Sequence, residues 1–79
     1  MAHRYTHKRR PPEGFGKRLQ EALFESGYST NKLEQISGVN HSNIYQYISE
    51  EMAPSAWTLA SLCKALHVSA DYLLFGTRG

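Results

Sequence analysis

The sequence predicts an all-α protein, a compact bundle of five short helices preceded by a flexible basic arm. Three observations carry this reading. From Phe15 onward apolar residues recur three and four positions apart, the spacing of one face of a helix. A Ser or Asn able to cap a helix start, followed by a short apolar-periodic run and then a Gly, recurs along the chain. No segment shows the strict alternation of a half-buried strand. With 79 residues, one domain with a small core is expected.

Taken in order, "MAHRYTHKRRPP" has almost no apolar content and ends in two prolines, which hold the backbone extended and stop a helix from growing backwards. Residues 1–12 are therefore assigned to the arm and 13–79 to the folded domain. Phe15, Leu19, Ala22 and Leu23 share a helical face, and Gly27 offers a left-handed stop, so the first helix covers about 14–26. Ser29 caps a very short second helix containing Leu33 and Ile36, closed by Ser37 and Gly38. Val39 turns inward and Asn40 caps the third helix, about 41–49. After the loop "EEMAP", Ser55 caps a fourth helix over about 56–66 with Leu59, Leu62, Cys63 and Leu66 as its stripe; Cys63 is read as a small core residue. Ser69 starts the fifth, Leu73 and Leu74 are its buried candidates, and Gly76 ends it.

Composition excludes several functional classes. The single Cys63 allows no internal disulfide, and no Cys/His group has zinc spacing; His3 and His7 lack a third ligand, so no metal is expected. No apolar run reaches the roughly 18 residues of a membrane span, and the start lacks the apolar centre of a secretion signal, which points to the cytoplasm. Neither a nucleophile elbow, a phosphate loop nor a paired acidic site is present, so no enzyme, cofactor or small-molecule ligand is expected. The net charge of +2 is unevenly spread. Arg4, Lys8, Arg9, Arg10, Lys17 and Arg18 precede residue 19 with only Glu13 against them, while acids outnumber bases in the remainder. Such a split fits an arm that meets a polyanion, and equally a solvated tail.

Two short helices joined by a turn at Gly38 and Val39 form a helix-turn-helix, in which the first crosses the DNA backbone and the second enters the major groove. At about 100° per residue, Ile44, Tyr47 and Ile48 fall on one side of the third helix. Ser42 and Gln46 fall on the other, flanked by Asn43 and Tyr45, with Ser49 one turn on and His41 at the leading tip. A solvated helix would usually show Lys and Glu there. Neutral donors and acceptors instead suit the reading of base edges, so His41, Ser42, Asn43, Tyr45 and Gln46 are the candidate readers.

The segments "FGKRLQEAL", "STNKLEQISGVNHSNIYQYI", "APSAWTLASLCKALHVSADYLL" and "FGT" together resemble the lambdoid phage repressor and Cro type of helix-turn-helix domain, a family of transcription regulators also called xenobiotic-response-element-like. The resemblance spans about residues 15–77. It implies that His41, Ser42 and Gln46 sit at base-reading positions and that Thr30 and Asn40 hold phosphates. Ser29 and Asn31 beside Thr30, and Ser49 at the end of the third helix, are added to the phosphate set, with Arg4, Lys8, Arg9 and Arg10 of the arm. Two departures stand out. Many members carry Ala where Glu34 stands, so Glu34 must lean outward or the helix pair must open slightly. Many also bury an Arg–Glu pair between the first and third helices, where this chain has Leu23 and Ile48. An apolar pair of similar volume can replace a buried ion pair, whereas changing one partner alone strands a charge.

The expected function is sequence-specific recognition of double-stranded DNA by a transcription regulator, a repressor in the sense the resemblance implies, acting as a homodimer on a near-palindromic operator. The alternative is a protein-interaction module, an adaptor or antitoxin-like component, that uses the same face. Tyr72 and Phe75 exceed what so small a core needs and either form the dimer contact or close the core under the last helix. Trp57 either covers the core edge or lies on backbone sugars beside Ser55. One consequence concerns stability. Leu23→Arg and Ile48→Glu should each destabilise strongly in chemical denaturation, and the double variant should recover part of the loss; strict additivity would argue against contact between the two positions.

Overall fold

In a computed structural model, residues 10–77 are described, and they form five helices: α1 (Phe15–Ser26), α2 (Thr30–Ser37), α3 (His41–Ile48), α4 (Ala56–Leu66) and α5 (Ala70–Phe75). Arg4, Lys8 and Arg9 lie outside the described residues. All five expected helices are present. The differences are at two ends: Gly14 is left-handed at φ 89° and precedes α1, and Ser49 follows α3 as its C-cap.

Each start and stop has a local cause. Ser29 Oγ accepts from the Lys32 N–H at 3.0 Å, Asn40 Oδ1 from Ser42 at 2.7 Å, Ser55 Oγ from Thr58 at 3.2 Å and Ser69 Oγ from Tyr72 at 3.0 Å. These four caps satisfy amides that no helical carbonyl can reach. The stops of α1 and α2 share one device. Ser26 Oγ donates to the Leu23 carbonyl and accepts from the Tyr28 N–H across a left-handed Gly27. Ser37 does the same with Leu33 and Val39 across Gly38. The second of these turns is the one that swings α3 away from α2. α4 ends differently, with His67 itself in the left-handed region at φ 59°, which gives that histidine a backbone role.

α1 lies against α3, α4 and α5, and α2 packs on α3 and α4. Every helix sends at least one fully buried side chain into the common core: Phe15 and Leu19 from α1, then Leu33, Ile44, Leu62 and Leu73. Leu23 is buried and Ile48 half-buried against that same cluster, which is apolar throughout. Cys63 packs at its edge, and burial pushes its thiol pKa up, in keeping with a core residue. Tyr72, expected as a possible dimer contact, is only 7% exposed and belongs to the core; Phe75 is exposed. α5 is a single short stretch, and an aromatic on its inner side is needed to cover α1.

Two long-range polar ties complete the bundle. α1 has no side-chain cap of its own; the Glu50 carboxylate, from the loop after α3, accepts the Gly14 and Gly16 N–H groups at 3.1 and 2.9 Å. Glu50 reaches them from a left-handed backbone at φ 65°. Arg18 donates from Nε to the Leu73 carbonyl at 2.9 Å and from Nη2 to Leu74 at 2.8 Å, tying α5 to α1. Its charge, grouped with the arm on sequence, is therefore engaged inside the domain. A Cβ on Gly16 would lie 1.9 Å from the Ile48 carbonyl oxygen, so α1 and the end of α3 touch backbone to backbone.

Glu50→Ala is accordingly expected to lower stability by about 2 kcal/mol, the worth of hydrogen bonds to a charged group. Glu50→Gly should be milder by about 1 kcal/mol because it relieves the left-handed strain. Gly16→Ala should cost about 1 to 3 kcal/mol through overpacking. Urea denaturation midpoints read all three; an unmoved midpoint in Glu50→Ala would show that the carboxylate is not holding α1.

Candidate nucleic-acid interface

The outer face of α3 is built by the burial of its inner one. Ile44 and Tyr47 enter the core, and that fixes the rotation of the helix about its axis. His41, Ser42, Tyr45 and Ser49 are then exposed, with Asn43 and Gln46 half-buried at the margins. The structure thus brings all five candidate readers onto one surface. The face carries no Lys, Arg, Asp or Glu between residues 41 and 49.

The candidate phosphate set is more divided. Ser29 and Asn40 stand exposed at the starts of α2 and α3, but each side chain already accepts a capping amide. Asn31 is exposed and Thr30 half-buried on the first turn of α2. Ser49 donates to the Gln46 carbonyl at 3.1 Å, at the far end of α3. Arg10 is exposed; the other three arm cations lie outside the described residues.

Glu34 leans outward, as expected, and its Oε1 lies 2.9 Å from Nδ1 of His41. Both side chains remain partly in water, so this pair adds under about 1 kcal/mol to stability. Its main effect is on orientation. The His41 ring is also met edge-on by Tyr45, one turn along, with centroids 6.3 Å apart and planes at 89°. The tip of α3 is therefore held from two sides.

Trp57 is 84% exposed, which removes the reading that it covers the core. It lines a shallow groove of about 370 Å³ with Gly38, Asn40, Asn43, Thr58 and Ser61, between the turn and the start of α4. The surface continuous with α3 thus extends to α4. Sequence reasoning had no means of placing Thr58 and Ser61 there, although an aromatic two positions after a cap was a usable signal for Trp57.

Residues 18–74 match the Cro/C1-type HTH DNA-binding domain family. The chain is 33% identical over 63 residues to the SPbeta prophage-derived HTH-type transcriptional regulator YonR of Bacillus subtilis (strain 168), covering 80% of this chain and 58% of that protein. It is 34% identical over 59 residues to the HTH-type transcriptional regulator ImmR of the same organism, covering 75% and 46% respectively. The chain thus spans about half the length of these relatives. Among solved structures, the P22 c2 repressor in complex with a synthetic operator is similar with a TM-score of 0.76 and 32% identity over 80% of this chain and 96% of that one. The restriction-modification controller protein C.AhdI of Aeromonas hydrophila is similar with a TM-score of 0.70 and 27% identity over 75% and 89%.

Proposed function

This chain belongs to the Cro/C1-type helix-turn-helix DNA-binding domain family, and from that premise we propose that it regulates transcription as a repressor by reading double-stranded DNA with α3. The observation that carries the proposal is the outer face of α3: exposed, uncharged and made of hydrogen-bonding side chains, while its opposite face is locked in the core. Neutral groups of this kind discriminate between base edges, whereas a lysine would bind any phosphate. His41, Ser42 and Gln46 read bases, with Asn43 and Tyr45 at the edges of the contact. Ser29, Thr30, Asn31, Asn40 and Ser49 meet the backbone, Ser29 and Asn40 at the helix starts they cap. The operator complex of the similar P22 c2 repressor supports the same use of this fold. Both relatives are transcriptional regulators, which favours this reading over a protein-interaction module.

One α3 reads too few base pairs to mark a site in a genome, so two copies bind half-sites of a near-palindrome about 34 Å apart. Phe75, 67% exposed at the end of α5, is the side chain left to make the dimer contact now that Tyr72 is in the core. Such a protein acts in the cytoplasm, and no helix among the described residues is long and apolar enough to cross a membrane.

Selection of bound duplexes from a random pool tests the reading directly; recovery of no shared sequence would overturn it. On the selected site, Gln46→Ala is expected to cost about 1 to 3 kcal/mol and little on random DNA. Equal losses on both would remove Gln46 from the readers. Deleting residues 1–10 should flatten the slope of log K against log salt by roughly two to four units, since each neutralised phosphate contributes about 0.9. An unchanged slope and affinity would make the arm a solvated tail.

A further inference from the structure

We propose that Glu34 sets the base preference of His41 by fixing which ring nitrogen carries hydrogen. The inference rests on the reading above, in which His41 is the first residue of α3 to meet the groove. An ionised carboxylate can only accept a hydrogen bond. With Oε1 of Glu34 2.9 Å from Nδ1 of His41, the hydrogen of the neutral ring must be on Nδ1. Nε2, at the opposite side of the ring, is then a bare acceptor. The T-shaped contact with Tyr45, one turn along α3, adds a second restraint on the ring.

The consequence for recognition is specific. In the major groove an acceptor pairs with the exocyclic amino groups, N4 of cytosine or N6 of adenine, and is repelled by the N7 and O6 acceptors of guanine. His41 is therefore a reader of cytosine or adenine, the reverse of the guanine contact that a donating histidine makes. Glu34 touches no base in this scheme. It is a positioning residue, acting from α2 across the turn through the ring it holds.

The test uses the full chain and Glu34→Ala, a change that favours the helix. Long-range proton–nitrogen NMR of ¹⁵N-labelled protein without DNA, in buffer alkaline enough to keep imidazole neutral, reports the tautomer directly. The wild type is expected to show a protonated Nδ1 and an unprotonated Nε2, and Glu34→Ala to move hydrogen onto Nε2. Duplex selection in the same alkaline buffer, where the ring is neutral, supplies the second readout. His41→Ala identifies the position that this side chain reads, by loss of preference there. At that position the wild type should favour cytosine or adenine by about tenfold over guanine, and Glu34→Ala should shift the preference toward guanine while the remaining positions stay as they were. Removing an acid near phosphates also raises affinity for every sequence alike, which cannot imitate a change at one position.

Identical ¹⁵N patterns in the two proteins, or a hydrogen on Nε2 in the wild type, would overturn the assignment. So would a wild-type preference for guanine at the His41 position. Should selection recover no sequence at all while the ¹⁵N pattern changes as expected, the tautomer stands and it is the DNA reading that fails, carrying the proposed base preference with it.

Discussion

Everything on the surface of α3 depends on how closely α1 approaches its end. The Cα of Gly16 lies against the Ile48 carbonyl with no room for a methyl group, and Glu50, two residues beyond that carbonyl, closes its carboxylate over the first turn of α1. Backbone contact of this kind leaves little freedom for sliding, because a small shift would separate the carboxylate from two amides at once. The left-handed backbone at Glu50 is the cost. It is offset because the carboxylate of that one residue supplies the cap that α1 lacks.

The apolar core supplies what this polar clasp does not. Leu23 is part of the common cluster and the half-buried Ile48 packs against it, so neither place asks a charge to leave water. α3 is thus oriented by Ile44 and Tyr47 below and by the clasp at its end, without any charged residue of its own. That economy matters for the proposed function. A helix held by its inner face can leave its outer face to poor helix formers such as Ser, Asn and His, whose low propensity would otherwise threaten eight residues.

The parts legible in the sequence were those with local causes. Ser29, Asn40, Ser55 and Ser69 were identifiable as caps because capping involves residues two or three apart, and the inward positions followed from helical period alone. Contacts between distant residues left no such trace. Nothing near Glu50 indicates that its partners are more than thirty positions earlier, and Arg18 looked like one more cation of a basic start until the carbonyls of α5 were found around it. Tyr72 was left open for a related reason: the surplus of aromatics in so small a chain was visible, but which of them the core would take depends on how α5 crosses α1. For Trp57, left open between two roles, exposure removes the core-covering one.

The distribution of acids over the helix starts separates structural from available termini. The amide end of each helix carries partial positive charge that an acid neutralises. α1 receives Glu50 from outside, and α5 has Asp71 in its own first turn. By contrast α2, α3 and α4 begin with no acid in their first turns and with the neutral caps Ser29, Asn40 and Ser55. Neutral caps satisfy an amide without cancelling the field, so these three ends keep their attraction for an anion. Asn40 and Trp57 line one groove between the second and third of them, which places two such ends on the same side as Asn43 of α3. A polyanion lying over that side would meet both of these fields beside a face of α3 that carries no Lys, Arg, Asp or Glu.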